Sequence, residues 1–224
     1  MGLQSIWSAV RPLNSRVRDA LLSFFLPSFC RLCGSLIESW DDGIVCSECW
    51  SDCEVIDCVQ AASAEITFCG ACGIYEGGWR ETVLHLKRTP QLAPRVQRAL
   101  INVLMRSGLE FDLAVPIPLH PRRQRERGFN QASVIARSTG LRVNESSLVR
   151  IKATAPHRAG TSPRQRAKSL EGAFKVRALR AIENRRILLV DDVTTTGSTA
   201  REAAQTLLES GAATVGLLTI ARVR

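Results

Sequence analysis

The segment from Ile187 to Thr199 constrains the fold of this chain most, and it reads Ile-Leu-Leu-Val-Asp-Asp-Val-Thr-Thr-Thr-Gly-Ser-Thr. Its four leading apolar residues are typical of a strand buried on both faces. Beyond the loop, apolar residues repeat at helical spacing: Ala200, Ala203, Ala204, Leu207 and Leu208. Gly211 follows where such a helix would end. The segment predicts a strand, a tight loop and a helix, which is the unit of an α/β fold with a mostly parallel sheet flanked by helices.

The loop between this strand and helix has the composition of an anion site. Four hydroxyl residues surround Gly197, which permits a backbone conformation that a β-carbon would oppose. Backbone N–H groups converge at the helix N-terminus, where the helix dipole favours negative charge. A Walker A loop is excluded because no Lys follows the glycine. The alternative, an ordinary N-capped connection, explains neither the hydroxyl residues nor the two acids before them.

Asp191 and Asp192 would repel a bare phosphate, whereas a sugar with two adjacent hydroxyls would give them donors. This pattern resembles the phosphoribosyl pyrophosphate signature of the type I phosphoribosyltransferases. The resemblance implies that Asp191 and Asp192 are a catalytic pair holding the ribose hydroxyls. It also implies a substrate-binding stretch that receives the 5-phosphate: Val193, Thr194, Thr195, Thr196, Gly197, Ser198 and Thr199.

A second motif follows the predicted strand of residues 111–118. Pro116-Ile-Pro-Leu-His120 leads into an Arg-rich run and then Arg127-Gly-Phe-Asn-Gln131. This motif is similar to the signature of the ComF/GntX-like branch of phosphoribosyltransferases, whose members also carry an N-terminal cysteine ribbon. The resemblance implies that Pro116, Ile117 and Pro118 lie on the pyrophosphate side and that Arg127 also binds substrate. It further implies a competence-associated protein that binds phosphoribosyl pyrophosphate with magnesium and acts in the uptake of transforming DNA.

Residues 154–168 have the features of a lid over the pocket. The segment contains Pro and Gly, has no apolar period, and carries Arg158 and Arg164 among its bases. A lid would exclude water from an activated ribosyl centre, and these two arginines would close over the pyrophosphate. At the best alignment Arg158 and Ser169 stand where relatives have Gln and Asn, which places the lid contacts in question. A surface loop without function is the alternative.

All eight cysteines lie between residues 30 and 72, and six form three Cys-x-x-Cys pairs. The first two pairs, Cys30/Cys33 and Cys46/Cys49, have the spacing of a tetrahedral zinc ribbon. The third pair, Cys69/Cys72, is expected either to bind a second zinc with Cys53 and Cys58, or to pack against the first site. The alternatives are a disulfide framework, which suits secreted domains, and an iron–sulfur or redox role.

Charge is divided unevenly along the chain. Residues 29–72 hold eight acids and one base, whereas residues 120–186 hold seventeen Lys or Arg and four acids. A basic half favours polyanionic ligands, either a pyrophosphate-bearing metabolite or a nucleic-acid backbone. The competing function is therefore a non-catalytic adaptor that binds single-stranded DNA and docks competence-machinery proteins. Few aromatic residues accompany the bases, which favours the sugar-phosphate pocket.

These patterns divide the chain into three parts. Residues 1–28 form an amphipathic N-terminal helix, residues 29–74 a single or double zinc ribbon, and residues 75–224 a phosphoribosyltransferase domain. No apolar run reaches the roughly 20 residues of a membrane span. We expect a cytoplasmic protein, because the apolar stretch of residues 21–26 leads into Pro27 and cysteines rather than a cleavage site.

Overall fold

The computed structural model describes residues 27–56, 63–152 and 170–224. The strands in these ranges are β1 (Phe68–Ile74), β2 (Leu113–Pro116), β3 (Leu148–Arg150), β4 (Phe174–Val176), β5 (Arg186–Thr194) and β6 (Thr214–Arg222). The α-helices are α1 (Ser47–Ser51), α2 (Gly77–Leu86), α3 (Pro94–Ser107), α4 (Pro121–Arg127), α5 (Gln131–Ser138) and α6 (Ser198–Glu209). The predicted N-terminal helix and the predicted lid, with Arg158 and Arg164, lie outside the described residues.

A four-stranded sheet forms the centre of the molecule, with the strand order β1-β6-β5-β2. All three pairings are parallel, and β3 and β4 form a separate antiparallel pair. Helices lie between consecutive strands of the sheet, as the alternation of patterns predicts. The predicted fold class, a mostly parallel sheet flanked by helices, is confirmed.

The apolar run before the acids supplies both faces of the sheet. Ile187 and Leu189 lie in the core cluster that includes α6, whereas Leu188 and Val190 lie in the cluster on the opposite face with α2, α3 and α5. Successive strand side chains point to opposite faces, so a central strand covered by helices on both sides needs a continuous apolar sequence. The residues after this run therefore reach the carboxyl edge of the sheet.

An ion pair fixes the register of β2 and β5 at the opposite edge. The Arg186 guanidinium donates to both carboxylate oxygens of Asp112, at 3.2 and 2.8 Å, and the Arg186 backbone N–H donates to Asp112 at 2.8 Å. These donors lower the pKa of Asp112 to about 2. The start of β5 is therefore aligned with the start of β2, and Pro116 at the end of β2 lies opposite Val190, next to Asp191.

The cysteine-rich segment packs against α2 and α3. The Trp50 and Trp79 rings meet edge to face with their centroids 4.9 Å apart, and the Trp79 indole N–H donates to the Glu54 carbonyl at 3.2 Å. The Arg95 guanidinium pairs with Asp42 at 2.6 Å and lies 5.6 Å from the Trp50 ring centroid. Aromatic contacts and partly buried hydrogen bonds of this kind hold the two parts together.

The predicted boundary at residue 74 and the predicted metal role of Cys69 and Cys72 need correction. Both cysteines lie in β1, which pairs with β6 in the central sheet. Cys72 is fully buried in one core cluster, and Cys69 packs against the cluster on the other face. Two thiols on opposite faces of a sheet cannot bind one ion together, so this pair belongs to the sheet and not to the ribbon.

Candidate functional site

The two adjacent acids lie at the carboxyl edge of the sheet, among the last residues of β5. Asp191 Oδ1 accepts from the Asp192 backbone N–H at 2.9 Å, and Asp192 Oδ1 accepts from the Val193 N–H at 2.8 Å. Burial and the neighbouring Asp192 charge raise the pKa of Asp191 well above its usual range. The Lys87 ammonium lies 3.6 Å from Asp192. The pair therefore carries negative charge that a hydroxyl donor or a cation would stabilise.

The loop after the acids is a small polar cup at a helix N-terminus. β5 ends at Thr194, Gly197 takes a φ of 70°, and α6 begins at Ser198. Residues 194–200 line a cavity of about 40 Å³, and the Thr196 and Ser198 hydroxyls are 2.9 Å apart. This is the geometry in which N–H groups and hydroxyls bind a phosphate.

A larger cleft of about 410 Å³ adjoins this cup. Asp191, Val193, Thr195 and Thr199 line both the cleft and the cup. The structure therefore places the predicted acids and the predicted hydroxyl residues around one connected space. A sugar over the acids could extend its phosphate into the cup.

The Arg-Gly-Phe-Asn-Gln motif forms part of the cleft wall. Asn130 caps the N-terminus of α5 through the Ala132 N–H at 3.0 Å, and its amide donates to the Ile117 carbonyl at 3.0 Å. Arg127 donates to the Gln131 amide oxygen at 2.9 Å. Gln131 is 2% exposed, and its amide nitrogen has no hydrogen-bond partner among the described residues. The motif thus joins α5 to the end of β2, and its residues Arg127, Asn130 and Gln131 line the cleft.

Residues of the proline motif differ in their access to the cleft. Ile117 and Pro118 line it, whereas Pro116 is buried as the last residue of β2 and does not. The Ile117 backbone N–H donates to the Val190 carbonyl at 2.8 Å, which keeps the loop beside the acids. Pro116 therefore holds the strand end in place and is not among the residues that line the cleft.

Several cleft residues were missed by sequence reasoning. Arg123, Arg150, Lys87, Tyr75 and Val223 all line the space around the acids. Arg150 lies 5.6 Å from the Phe174 ring centroid, and burial together with the Arg123 charge lowers its pKa. Arg123 stood in a basic run that had no assigned role, while the other four residues are far from the motifs along the chain. Only the parallel topology brings them to the same edge.

Four cysteines form a candidate metal centre near the N-terminus of α2. The sulfur atoms of Cys30, Cys33, Cys46 and Cys49 all lie within 4.8 Å of one another. Thiolates bound at about 2.3 Å around one tetrahedral zinc lie roughly 3.8 Å apart, so the cluster fits that ion. No other cluster of this kind is found among the described residues.

Local backbone hydrogen bonds favour the thiolate form of Cys30, one of the four cysteines of this centre. The Cys46 backbone N–H lies 3.3 Å from the Cys30 sulfur and the Leu32 N–H 3.5 Å from it. Burial opposes ionisation of Cys30, but N–H groups of Cys33, Cys46 and Leu32 outweigh it and lower the pKa to about 6. Thiolate is the form that binds zinc, so the backbone around Cys30 suits a metal ligand.

Known proteins are similar to this chain in sequence. A family model described as phosphoribosyl transferase domain matches residues 126–224. The DNA utilization protein YhgH of Escherichia coli O6:H1 is 30% identical over 211 residues, which is 77% of this chain and 91% of that protein. Competence protein ComFC of Bacillus subtilis is 37% identical over 109 residues, covering 48% of this chain and 43% of that protein.

A solved structure is also similar to part of this chain. A solved glutamine phosphoribosylpyrophosphate amidotransferase from B. subtilis matches with a TM-score of 0.38 and 19% identity, over 61% of this chain and 30% of that chain. Within the described residues, no helix is both long enough and apolar enough to span a bilayer.

Proposed function

Because the chain belongs to the ComF/GntX-like family of proteins with a phosphoribosyltransferase domain, we propose that its cleft binds phosphoribosyl pyrophosphate together with magnesium. One observation carries the proposal: the acid pair lies between a polar cup and a wall of cations in one connected space. A ligand with a diol between two phosphoryl ends matches that order of charges. We further propose a cytoplasmic role in the handling of transforming DNA.

Each part of the ligand has a matching set of groups. The Asp191 and Asp192 carboxylates would accept hydrogen bonds from the two ribose hydroxyls. The loop of residues 194–199 would hold the 5-phosphate through N–H groups and hydroxyls. Arg123, Arg127 and Arg150 would face the pyrophosphate, because these cations line the same cleft.

Magnesium fits this site on the chemistry of its residues. Burial and the neighbouring Asp192 charge raise the pKa of Asp191, and a bound cation would offset both by stabilising the ionised carboxylate. When bound with the ligand, magnesium would neutralise charge on the pyrophosphate as it leaves.

If transfer occurs, the protein would act mainly by positioning and electrostatics. The ribose C1–O bond breaks and its electron pair leaves with pyrophosphate, while a lone pair of the acceptor forms the new bond to C1. A proton carried by the acceptor atom passes to water. The acids stabilise the cation-like sugar, and the arginines stabilise the leaving group.

Calorimetry tests the proposal directly. Wild type is expected to bind phosphoribosyl pyrophosphate with magnesium at micromolar affinity. The double variant Asp191→Asn/Asp192→Asn should lose roughly 3 kcal/mol or more, because hydrogen bonds to charged groups are worth about 1.5–3 kcal/mol each. Glu145→Gln, an exposed acid paired with Arg137, is the control and should bind as wild type. Equal affinity of wild type and the double variant would refute the assigned role of the acids.

Single-stranded DNA binding is a second candidate, favoured by the basic half of the chain and by relatives named for DNA utilization and competence. Phe174 is 4% exposed and cannot stack on bases, which leaves Phe129 as the accessible ring in the described part of residues 120–186. Such binding would depend mainly on phosphate contacts. Its affinity should then fall steeply with salt, and a flat salt response would exclude it.

A further inference from the structure

The cleft has two chemically different flanks on either side of the acid pair. The strand order places β5 between β2 and β6, with β1 beyond β6. On the β2 side lie Arg123 and Arg127, while Tyr75 and Val223 follow β1 and β6 on the other. Lys87, directly after α2, lines the cleft next to Asp192. We call Tyr75, Lys87 and Val223 the acceptor flank.

We propose that the acceptor flank binds a planar ring that bears a carboxylate, as the acceptor of the ribosyl group. This inference rests on the proposed function, because it takes pyrophosphate to lie against the arginines. Displacement at C1 brings the acceptor to the face of the sugar opposite to the leaving group. With pyrophosphate on the β2 side, the acceptor must approach from the side of β1 and β6.

Backbone hydrogen bonds fix the acceptor flank beside the acids. The Tyr75 N–H donates to the Arg222 carbonyl at 2.8 Å, and the Val223 N–H donates to the Thr194 carbonyl at 2.9 Å. The Lys87 N–H donates to the Val83 carbonyl at 3.2 Å, which holds the residue at the C-terminus of α2. All three residues are thus attached to regular elements and are preorganised for a ligand.

The chemistry of these side chains defines the ligand class. Tyr75 is half-buried and offers a ring face with a hydroxyl, and Val223 offers apolar surface. An aromatic face and an aliphatic side chain suit a flat ring. The Lys87 ammonium forms an ion pair with Asp192 at 3.6 Å, and because it has three donors it can also donate to a second oxygen anion. A carboxylate on the ring would form an ion pair with the Lys87 ammonium.

The single tyrosine of this chain makes a selective probe. Full-length protein labelled with 3-fluorotyrosine gives one ¹⁹F resonance, from Tyr75. Orotate, a planar pyrimidine carboxylate, is titrated with phosphoribosyl pyrophosphate and magnesium present, and uracil supplies the same ring without the carboxylate. Orotate should shift the resonance at millimolar concentration or below and should bind about tenfold more tightly than uracil.

Lys87→Met should reduce that preference for orotate to near unity, while Lys175→Met, an exposed lysine on β4, should leave it as in wild type. No shift with orotate, or an undiminished preference in Lys87→Met, would overturn the proposal. Calorimetry with phosphoribosyl pyrophosphate and magnesium, without orotate, distinguishes failure of the acceptor assignment from failure of the proposed function. If that ligand binds and orotate does not, the acceptor assignment fails and the sugar-phosphate site stands.

Discussion

Asp191 has a carboxyl group whose ionised form is disfavoured by its surroundings. Burial removes water from it and Asp192 adds a second negative charge, so its pKa in the folded protein lies above the unfolded value. The folded state therefore holds the Asp191 proton more tightly than the unfolded state. The resulting stability is fully present below the unfolded pKa, about 3.9, and is lost as pH rises through the folded pKa.

Asp191→Asn should therefore raise the melting temperature at pH 8, because asparagine stays neutral. The gain should shrink as the pH is lowered and should vanish below pH ~4, where the aspartate becomes protonated in the unfolded state as well. Thermal unfolding of both proteins between pH ~3 and ~8 measures this. A variant less stable than wild type at pH 8 would show that the acids are not strained in the free protein.

Asp112→Asn is the matched comparison, for which the expected change in melting temperature has the opposite sign. Arg186 lowers the pKa of Asp112 to about 2, so this acid stabilises the fold above its unfolded pKa. That stability is lost as pH falls through the folded value. The variant should melt below wild type at pH 7, and the difference should narrow from pH ~4 downwards. An unchanged melting temperature at pH 7 would show that the Arg186 pair does not stabilise the sheet.

At the scale of elements, the loop between β5 and α6 depends on one glycine. Gly197 has a φ of 70°, and an added β-carbon would lie 4.0 Å from the Thr194 hydroxyl, so the cost of a side chain is conformational and not steric. Gly197→Ala should destabilise the protein by about 1–2 kcal/mol, measured by urea unfolding. It should also weaken binding of phosphoribosyl pyrophosphate, because the N–H groups of the cup are displaced.

Gly140→Ala is the control that distinguishes loss of stability by backbone strain from loss of ligand binding. Gly140 has a φ of 78° and open space around its position, so alanine carries a comparable conformational cost far from the cup. This variant should lose similar stability and keep wild-type affinity. If Gly197→Ala also keeps full affinity, the loop of residues 194–199 does not hold the phosphate.

Local patterns predicted elements better than they predicted the site. The strand, loop and helix from Ile187 onward follow from periodicity, and the ribbon quartet follows from the spacing of its cysteines. Cys69 and Cys72 were misassigned because a strand can contain the same spacing as a metal knuckle. The apolar neighbours in Phe68–Ile74 were the available signal for a strand.

The cleft residues were missed for a different reason. Lys87, Arg150 and Val223 carry no motif, and each reaches the cleft through its position after a different element. Periodicity defines elements but not their order in a sheet. The β1-β6-β5-β2 order therefore had to be observed before these side chains could be placed together.

At the scale of the whole molecule, α2 connects the metal centre to the cleft. Its first residues contact the ribbon, where the Gly78 N–H lies 3.2 Å from the Cys53 sulfur and Trp79 packs on Trp50. Lys87, directly after its last residue, lies 3.6 Å from Asp192. Loss of the ribbon would expose the first turn of α2 and loosen the helix that carries Lys87.

Metal analysis should therefore return about one zinc per chain, since the described residues contain one cluster of four cysteines close enough to bind one ion. Cys33→Ser should abolish zinc binding, lower the melting temperature and weaken the binding of phosphoribosyl pyrophosphate. Cys72→Ala, which removes a buried thiol of β1, should lose stability but retain the metal. Two zinc ions per chain, or a zinc-free protein of wild-type stability, would contradict the assignment.

The position of β6 has a consequence for how the chain acquires its structure. This strand follows all the other described strands in the chain, yet it lies between β1 and β5 and pairs with both. During synthesis on the ribosome, β1 would have no neighbour in the sheet until residues 214–222 emerge. Such distant pairings slow folding, and nascent chains would expose unpaired edges in the meantime. Removal of this segment would separate β1 from the rest of the sheet.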